Sequence, residues 1–112
     1  MDEKKANQSS EKPMKWYHYI AGFFAGVFFT NSTPHYINGI SGHAFPTPFA
    51  DPPTIGLSSP MTNVMWALFN ALVGYLLFRA SKINSKRKLG LLVFFAGIVF
   101  FGITFSSMMM SR

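Results

Sequence analysis

The sequence predicts an all-α membrane protein with three transmembrane helices and a Pro/Gly-rich ordered outer loop between the first and the second. Two observations on composition support this fold class. The 112-residue chain is 49% hydrophobic, with 13 Phe and only 12% charged residues, whereas soluble domains carry about 25% charged residues. The charges are also segregated, leaving long stretches with none. A soluble domain of this size could not bury so many Phe side chains, but lipid can surround them.

The predicted spans cover about residues 16–32, 61–80 and 89–108. The first span is the weakest, because its apolar run falls short of the roughly 20 residues that cross a bilayer. A snorkelling Lys15 and the aromatic residues after it can anchor its end at the headgroups. A cleaved signal peptide is the alternative for this segment. It is disfavoured because acidic residues precede the apolar run and no A-x-A-like site follows it.

These spans divide the chain into a tail and one domain. We expect residues 1–15 to form a disordered basic cytoplasmic tail, since they are rich in Lys, Asn, Gln and Ser. Residues 16–112 then form a single three-helix membrane domain. Within it, residues 33–60 make the outer loop and residues 81–88 make a basic cytoplasmic loop.

Positive charge predicts the orientation. Apart from Arg112 at the end, the basic residues precede the first span or lie from Arg79 to Lys88, around the connection between the second and third spans, whereas residues 33–60 contain no Lys or Arg. Because Lys and Arg resist translocation, we expect the N-terminus in the cytoplasm and the C-terminus outside. The plasma (bacterial inner) membrane is the expected location, since an acid-poor, Arg-rich organelle leader is not seen. The net charge of +6 is thus explained by topology, and we expect no nucleic-acid binding.

Small and polar residues mark one stripe on each predicted span. Helices in lipid associate where small side chains let backbones approach. The residues expected to pack helices together are Gly22, Gly26, Asn70, Gly74 and Gly97. Asn70 lies near mid-membrane and is expected to form an interhelical hydrogen bond. The G-x-x-x-G spacing of Gly22 and Gly26 fits either the core of the three helices or the docking of a second copy or partner helix.

The outer loop is expected to be ordered. It holds six of the seven prolines together with several aromatic and aliphatic residues, whereas disordered segments are poor in aromatics and rich in charge. Asn38-Gly39 and Ser41-Gly42 are turn signals. A long loop of this composition is usually functional, and we expect it to form a packed cap on the outer ends of the helices.

The loop also holds a candidate metal site. His35, His43 and Asp51 could ligate zinc, although their spacing matches no zinc signature. The alternative is that the histidines bond loop backbone and Asp51 caps a turn. Met61 and Met65 form an M-x-x-x-M pattern on the second span, which is similar to that of the eukaryotic-type copper transporters. The resemblance covers little beyond these two residues, and the third span and the predicted orientation depart from that family.

The sequence contains none of the known catalytic motifs. It also contains no Cys, which excludes disulfides and thiolate metal sites. We therefore expect no enzyme activity and no cofactor. The expected role is that of a structural or accessory membrane protein that presents the outer loop. Its expected partners are the lipid bilayer and either a second copy or a larger membrane complex. The alternative is a transport or metal-handling protein that uses the outer His and Met residues with copper or zinc.

Overall fold

The computed structural model describes residues 13–111 and contains three α-helices in this part of the chain. They are α1 (Trp16–Ile40), α2 (Pro60–Ser81) and α3 (Lys88–Met110). The all-helical prediction is therefore confirmed. By length and composition, α2 and α3 are apolar enough to cross a membrane, whereas α1 does not meet the same criterion. The predicted tail of residues 1–15 lies almost wholly outside the described residues.

The first helix is longer than the sequence predicts, and the loop is correspondingly shorter. Residues 33–40 were expected in the outer loop but belong to α1. Pro34 does not end the helix, although its missing N–H leaves one helical hydrogen bond unmade. The Asn38 side chain donates to the Pro34 carbonyl at 2.8 Å. Gly39, expected in a turn, is helical because it lies against α2: a Cβ atom there would meet Val64 Cγ2 at 2.6 Å.

The α1–α2 loop therefore comprises residues 41–59, and it starts with a regular helix stop. Gly42 has φ of +76°, and its N–H donates to the Gly39 carbonyl while the His43 N–H donates to the Asn38 carbonyl. This pair of bonds is the Schellman motif, which requires a left-handed residue that glycine supplies at least cost. The predicted turn at Ser41-Gly42 thus marks the true end of α1.

The second helix has a well-formed start. The Ser59 side chain accepts a hydrogen bond from the Thr62 N–H at 3.1 Å, and Pro60 occupies the first helical position. The helix ends at Ser81, and its C-cap residue Lys82 has a left-handed φ of 58°. Residues 82–87 then form the α2–α3 connection, close to the basic loop that the sequence predicts at residues 81–88.

Helix α1 lies between the other two. It packs along both α2 and α3, whereas the Cα traces of α2 and α3, each described in full, do not come within 8 Å of one another. Contacts such as Asn31 to Asn70 and His35 to Asn63 show that α1 and α2 are antiparallel. The three helices therefore run up, down and up, with the α1–α2 loop at one end and the α2–α3 connection at the other.

Polar and small side chains are buried and large apolar side chains are exposed, which is the opposite of the distribution in a soluble protein. Within residues 13–111, the largest fully buried side chains are polar or small: Asn63, Asn70, Thr47 and Ser81. The buried hydrophobic residues of the same range are Ala25, Ala50, Ala67 and Ile83. Large apolar side chains such as Phe24, Phe69 and Leu92 are instead exposed along the helices. A soluble core is built from such large apolar residues, and here they face outward.

Candidate functional site

The best-defined polar site lies at the loop end of the molecule, where residues 41–59 meet α1 and α2. Its centre is Asn63, which is completely buried. The Asn63 Nδ2 atom donates to the carbonyl oxygens of Phe45, Ser58 and Ser59 at 3.0, 3.2 and 3.1 Å. One α2 side chain thus holds both the beginning and the end of the loop.

These bonds also determine the protonation pattern of His35. Because the Asn63 Nδ2 atom faces three carbonyls, its Oδ1 atom must be the group that faces His35. The His35 Nδ1 atom lies 2.7 Å from Oδ1 and must therefore carry a proton and donate. In a neutral imidazole the other nitrogen, Nε2, is then an acceptor. His35 is 3% exposed and packs edge-on against the Phe45 ring at 5.2 Å.

The loop is also bonded to itself. Phe45 and Ser58 pair as an isolated antiparallel bridge, with N–O distances of 3.2 and 3.0 Å. The Thr47 and Ser58 hydroxyls lie 2.5 Å apart, and the Thr47 carbonyl accepts from the N–H groups of Ala50 and Thr54. Thr47 is 1% exposed, so the middle of the loop folds around the buried Thr47 side chain.

A second polar layer lies one to two turns farther from the loop. The Asn31 Nδ2 atom donates to Asn70 Oδ1 at 3.1 Å, and the Ser32 hydroxyl donates to the Ala67 carbonyl at 2.8 Å. Asn70 also donates to the Trp66 carbonyl of its own helix. Together with the pair His35–Asn63, these bonds join α1 to α2 along the half of the helices nearest the loop.

The expected metal ligands are not brought together. His35 is buried and bonded to Asn63, whereas His43 and Asp51 are exposed. Over residues 13–111, no group of three or more His, Asp or Glu side chains lies close enough to hold a metal ion. Met61 and Met65 are 69% and 61% exposed on α2. The structure therefore gives the metal hypothesis no support.

The five expected packing residues are all buried, and four of them meet another part of the chain at close range. A Cβ atom on Gly97 would clash with the Phe23 carbonyl oxygen, and one on Gly26 would clash with the Phe94 carbonyl oxygen. Gly22 lies against the Ile83 side chain, and Gly74 against the Phe29 ring. The fifth residue, Asn70, makes the interhelical bond to Asn31. The Gly22/Gly26 surface is therefore occupied within the chain, and a second copy would need a different surface.

Beneath the loop lies a cavity of about 120 Å³. Side chains of α1, α2, α3 and the loop line it, among them His35, Trp66, Thr47 and Phe105.

Sequence reasoning missed Thr47 and Trp66 as site residues. Nothing in the local sequence distinguishes them, since a loop Thr and a Trp in an apolar helix are both common. Asn63 had a signal: it precedes Asn70 by two helical turns, which places both amides on one face.

The chain matches no protein-family model, no curated protein and no solved structure. Its function must therefore be inferred from the geometry of its own residues.

Proposed function

We propose that this chain is a three-span integral membrane protein of structural or accessory role, with no enzymatic activity, which presents residues 41–59 as a rigid cap on the outer side. The observation that carries the proposal is the reversed distribution of side chains. Apart from His35 and Ile83, the buried positions hold Asn, Thr, Ser, Gly and Ala, while large apolar side chains cover the outside of all three helices. Lipid is the solvent in which this distribution is stable, because association there relies on small and polar contacts.

The position of α1 supports a third span. Helix α1 packs along both α2 and α3, so a membrane crossed by those two helices also surrounds α1. Its lower hydropathy comes largely from the polar residues of its second half, of which Ser32 and His35 are buried against α2. The 25 residues of α1 extend about 37 Å at 1.5 Å per residue, which exceeds the roughly 30 Å of a hydrocarbon core.

Charge supports the orientation. The α2–α3 connection and the helix ends beside it carry Arg79, Lys82, Lys86, Arg87 and Lys88, whereas the loop of residues 41–59 carries Asp51 and no Lys or Arg. The positive-inside bias favours a cytoplasmic position for the connection. The cap then lies outside, as does the end of α3, and the plasma membrane is the proposed location.

The cap is suited to docking because it is held rigidly and presents apolar side chains. Asn63 fixes both of its ends, while Phe49, Ile55 and Leu57 are 65%, 63% and 68% exposed. A rigid surface loses little conformational entropy when a partner binds. The proposed partners are a larger membrane complex or a second copy of this chain.

Topology can be tested by labelling single cysteines, because the chain has no Cys of its own. The variants are Pro13→Cys, Ala44→Cys and Ser85→Cys, all at exposed positions. A membrane-impermeant maleimide should label Ala44→Cys in intact cells and should label the other two only after permeabilisation. Labelling of both Pro13→Cys and Ala44→Cys in intact cells would show that α1 does not cross. Labelling of Ser85→Cys in intact cells would refute the orientation.

The accessory role is tested on protein purified in mild detergent. We expect a particle mass above that of one chain, without metal. A lone chain would refute docking. Stoichiometric copper or zinc that disappears in a His35→Ala, His43→Ala double variant would instead favour the metal-handling alternative.

A further inference from the structure

We propose that the cavity beneath the α1–α2 loop is a binding site for a small neutral molecule with an apolar ring and a hydroxyl group. This site is independent of the docking role, since its lining does not include Phe49, Ile55 or Leu57, the exposed side chains on which that role rests. The cavity of about 120 Å³ is comparable to cavities of about 150 Å³ that bind benzene in an engineered protein. A single six-membered ring therefore fits it.

The cavity has a hydrogen-bond donor without a partner. The Trp66 Nε1 atom is buried, and no described residue offers it an acceptor. A buried N–H without an acceptor destabilises the fold, because its hydration is lost and not replaced. The Trp66 ring is held between Phe49, at 4.9 Å, and Phe69, at 5.7 Å. The Trp66 side chain lines the cavity, and the proposal assigns its free N–H to an oxygen atom of the ligand.

The cavity also has an acceptor. Asn63 fixes the proton of His35 on Nδ1, so Nε2 of the neutral ring carries a lone pair. No described residue donates to Nε2, and His35 lines the same cavity as Trp66. A hydroxyl both donates and accepts, so alcohols and phenols complement this pair of groups. A carboxylate or ammonium does not, since no ion pair is available to it here and burying a lone charge is costly.

Apart from Asn31, Thr47 and Thr54, the rest of the lining is apolar or aromatic. The rings of Phe45 and Phe105 lie stacked, 6.2 Å apart with an interplanar angle of 19°. Both line the cavity, together with Phe101 and Met109 of α3. Few polar groups among many apolar ones is the usual composition of small-molecule sites. The aromatic walls favour a ring, and His35 and Trp66 select for its hydroxyl.

The test uses 4-fluorophenol as probe and fluorobenzene as its analogue without a hydroxyl. Each is titrated into the full chain in lipid nanodiscs and followed by ¹⁹F NMR, with empty nanodiscs measured in parallel. We expect saturable one-to-one binding of 4-fluorophenol, and binding of fluorobenzene about tenfold weaker for the lost hydrogen bonds. Equal binding of the two probes, or a signal identical to that of empty nanodiscs, would overturn the proposal.

Two variants test the two contacts separately. Trp66→Phe keeps a ring and removes the N–H, and Trp16→Phe is its matched control because Trp16 is 72% exposed. His35→Asn keeps a donor close to Nδ1 for Asn63 and removes Nε2. We expect Trp66→Phe and His35→Asn each to weaken 4-fluorophenol binding five- to tenfold and to leave fluorobenzene binding unchanged, while Trp16→Phe changes neither. If His35→Asn fails to fold, Trp66→Phe decides: unchanged 4-fluorophenol affinity in that variant refutes the site.

Discussion

The two ends of the molecule are held by different chemistry. At the loop end, α1, α2 and residues 41–59 are joined by hydrogen bonds centred on Asn63. At the opposite end, the Ile83 side chain lies between two glycines, Gly22 of α1 and Gly90 of α3. Ile83 is 7% exposed, and its N–H donates to the Ser81 hydroxyl at 3.2 Å.

The difference follows from what each end must hold. The loop of residues 41–59 has many backbone N–H and C=O groups, and each of these groups that is buried needs a hydrogen-bond partner. An amide side chain can satisfy several of them. The short α2–α3 connection instead needs only to set the spacing of three helices, and one apolar side chain on small residues does this. Polar bonds thus fix the path of a loop, and close packing fixes the distance between helices.

The largest loss in the free energy of unfolding is expected for a substitution between the two ends, where α1 and α3 are in contact. In Gly97→Leu the new side chain would overlap with the Phe23 carbonyl oxygen. This oxygen belongs to the backbone of α1, so it cannot move aside as the end of a flexible side chain could. We expect a loss of about 3 kcal/mol or more in the free energy of unfolding. Gly102→Leu is the control on the same helix, because the nearest atom to a Cβ there is Thr30 Cγ2 at 4.0 Å.

The measurement is unfolding by denaturing detergent, followed by circular dichroism. Gly102→Leu should stay within about 1 kcal/mol of the unmodified protein. Equal losses in the two variants would mean that α1 and α3 do not meet at Gly97.

Ile83→Ala should act on the end opposite the loop. It removes the side chain that lies on Gly22 and Gly90, and we expect a loss of about 2 kcal/mol, near the lower end for truncated core residues. Ile103→Ala is the control, since Ile103 is 64% exposed and should change the free energy of unfolding little. Proteolysis of residues 41–59 should be unchanged in Ile83→Ala. Faster cleavage there would show that the two ends are coupled.

Asn63→Ala should act on the loop end. It leaves the His35 Nδ1–H without its acceptor and removes one hydrogen bond from each of the Phe45, Ser58 and Ser59 carbonyls, at a cost of about 2 kcal/mol. Limited proteolysis or hydrogen exchange should show residues 41–59 opening while α3 stays protected. Asn38→Ala is the matched control, because the Asn38 side chain bonds only to the Pro34 carbonyl of its own helix. If residues 41–59 resist cleavage as well in Asn63→Ala as in Asn38→Ala, the Asn63 side chain does not hold the loop in place.

The sequence predicts these regions unequally well. Bounds for α2 and α3 are close because long apolar runs end at Pro60 and at basic residues. The end of α1 is missed because Pro34 and Asn38-Gly39 have the local properties of a loop. Their helical state depends on α2, which contacts Gly39 and bonds Ser32 and His35. Tertiary contact here overrides local preference, and no local rule includes it.

Some residues of the candidate site could also be predicted from the sequence, and others could not. Small residues in helices are predictable as packing positions, since their spacing is visible and the reason is local size. The partners of Asn63 are not, because Phe45 and Ser58 come together only through the path of the loop. His35 was singled out as a metal ligand for its chemistry, but its neighbour Asn63 makes it a hydrogen-bond donor.

The smallest loss of stability is expected at the hydrogen bond between Asn31 of α1 and Asn70 of α2. Asn70→Ala removes the acceptor for Asn31, and interhelical hydrogen bonds in membranes contribute about 0.6 kcal/mol on average and up to about 1.7. We expect a loss of about 1 kcal/mol in the free energy of unfolding, and a similar loss in Asn31→Ala. If the bond acts as a pair, the double variant should lose little more than either single one. Fully additive losses would mean that each amide acts through other contacts, such as the bond from Asn70 to the Trp66 carbonyl.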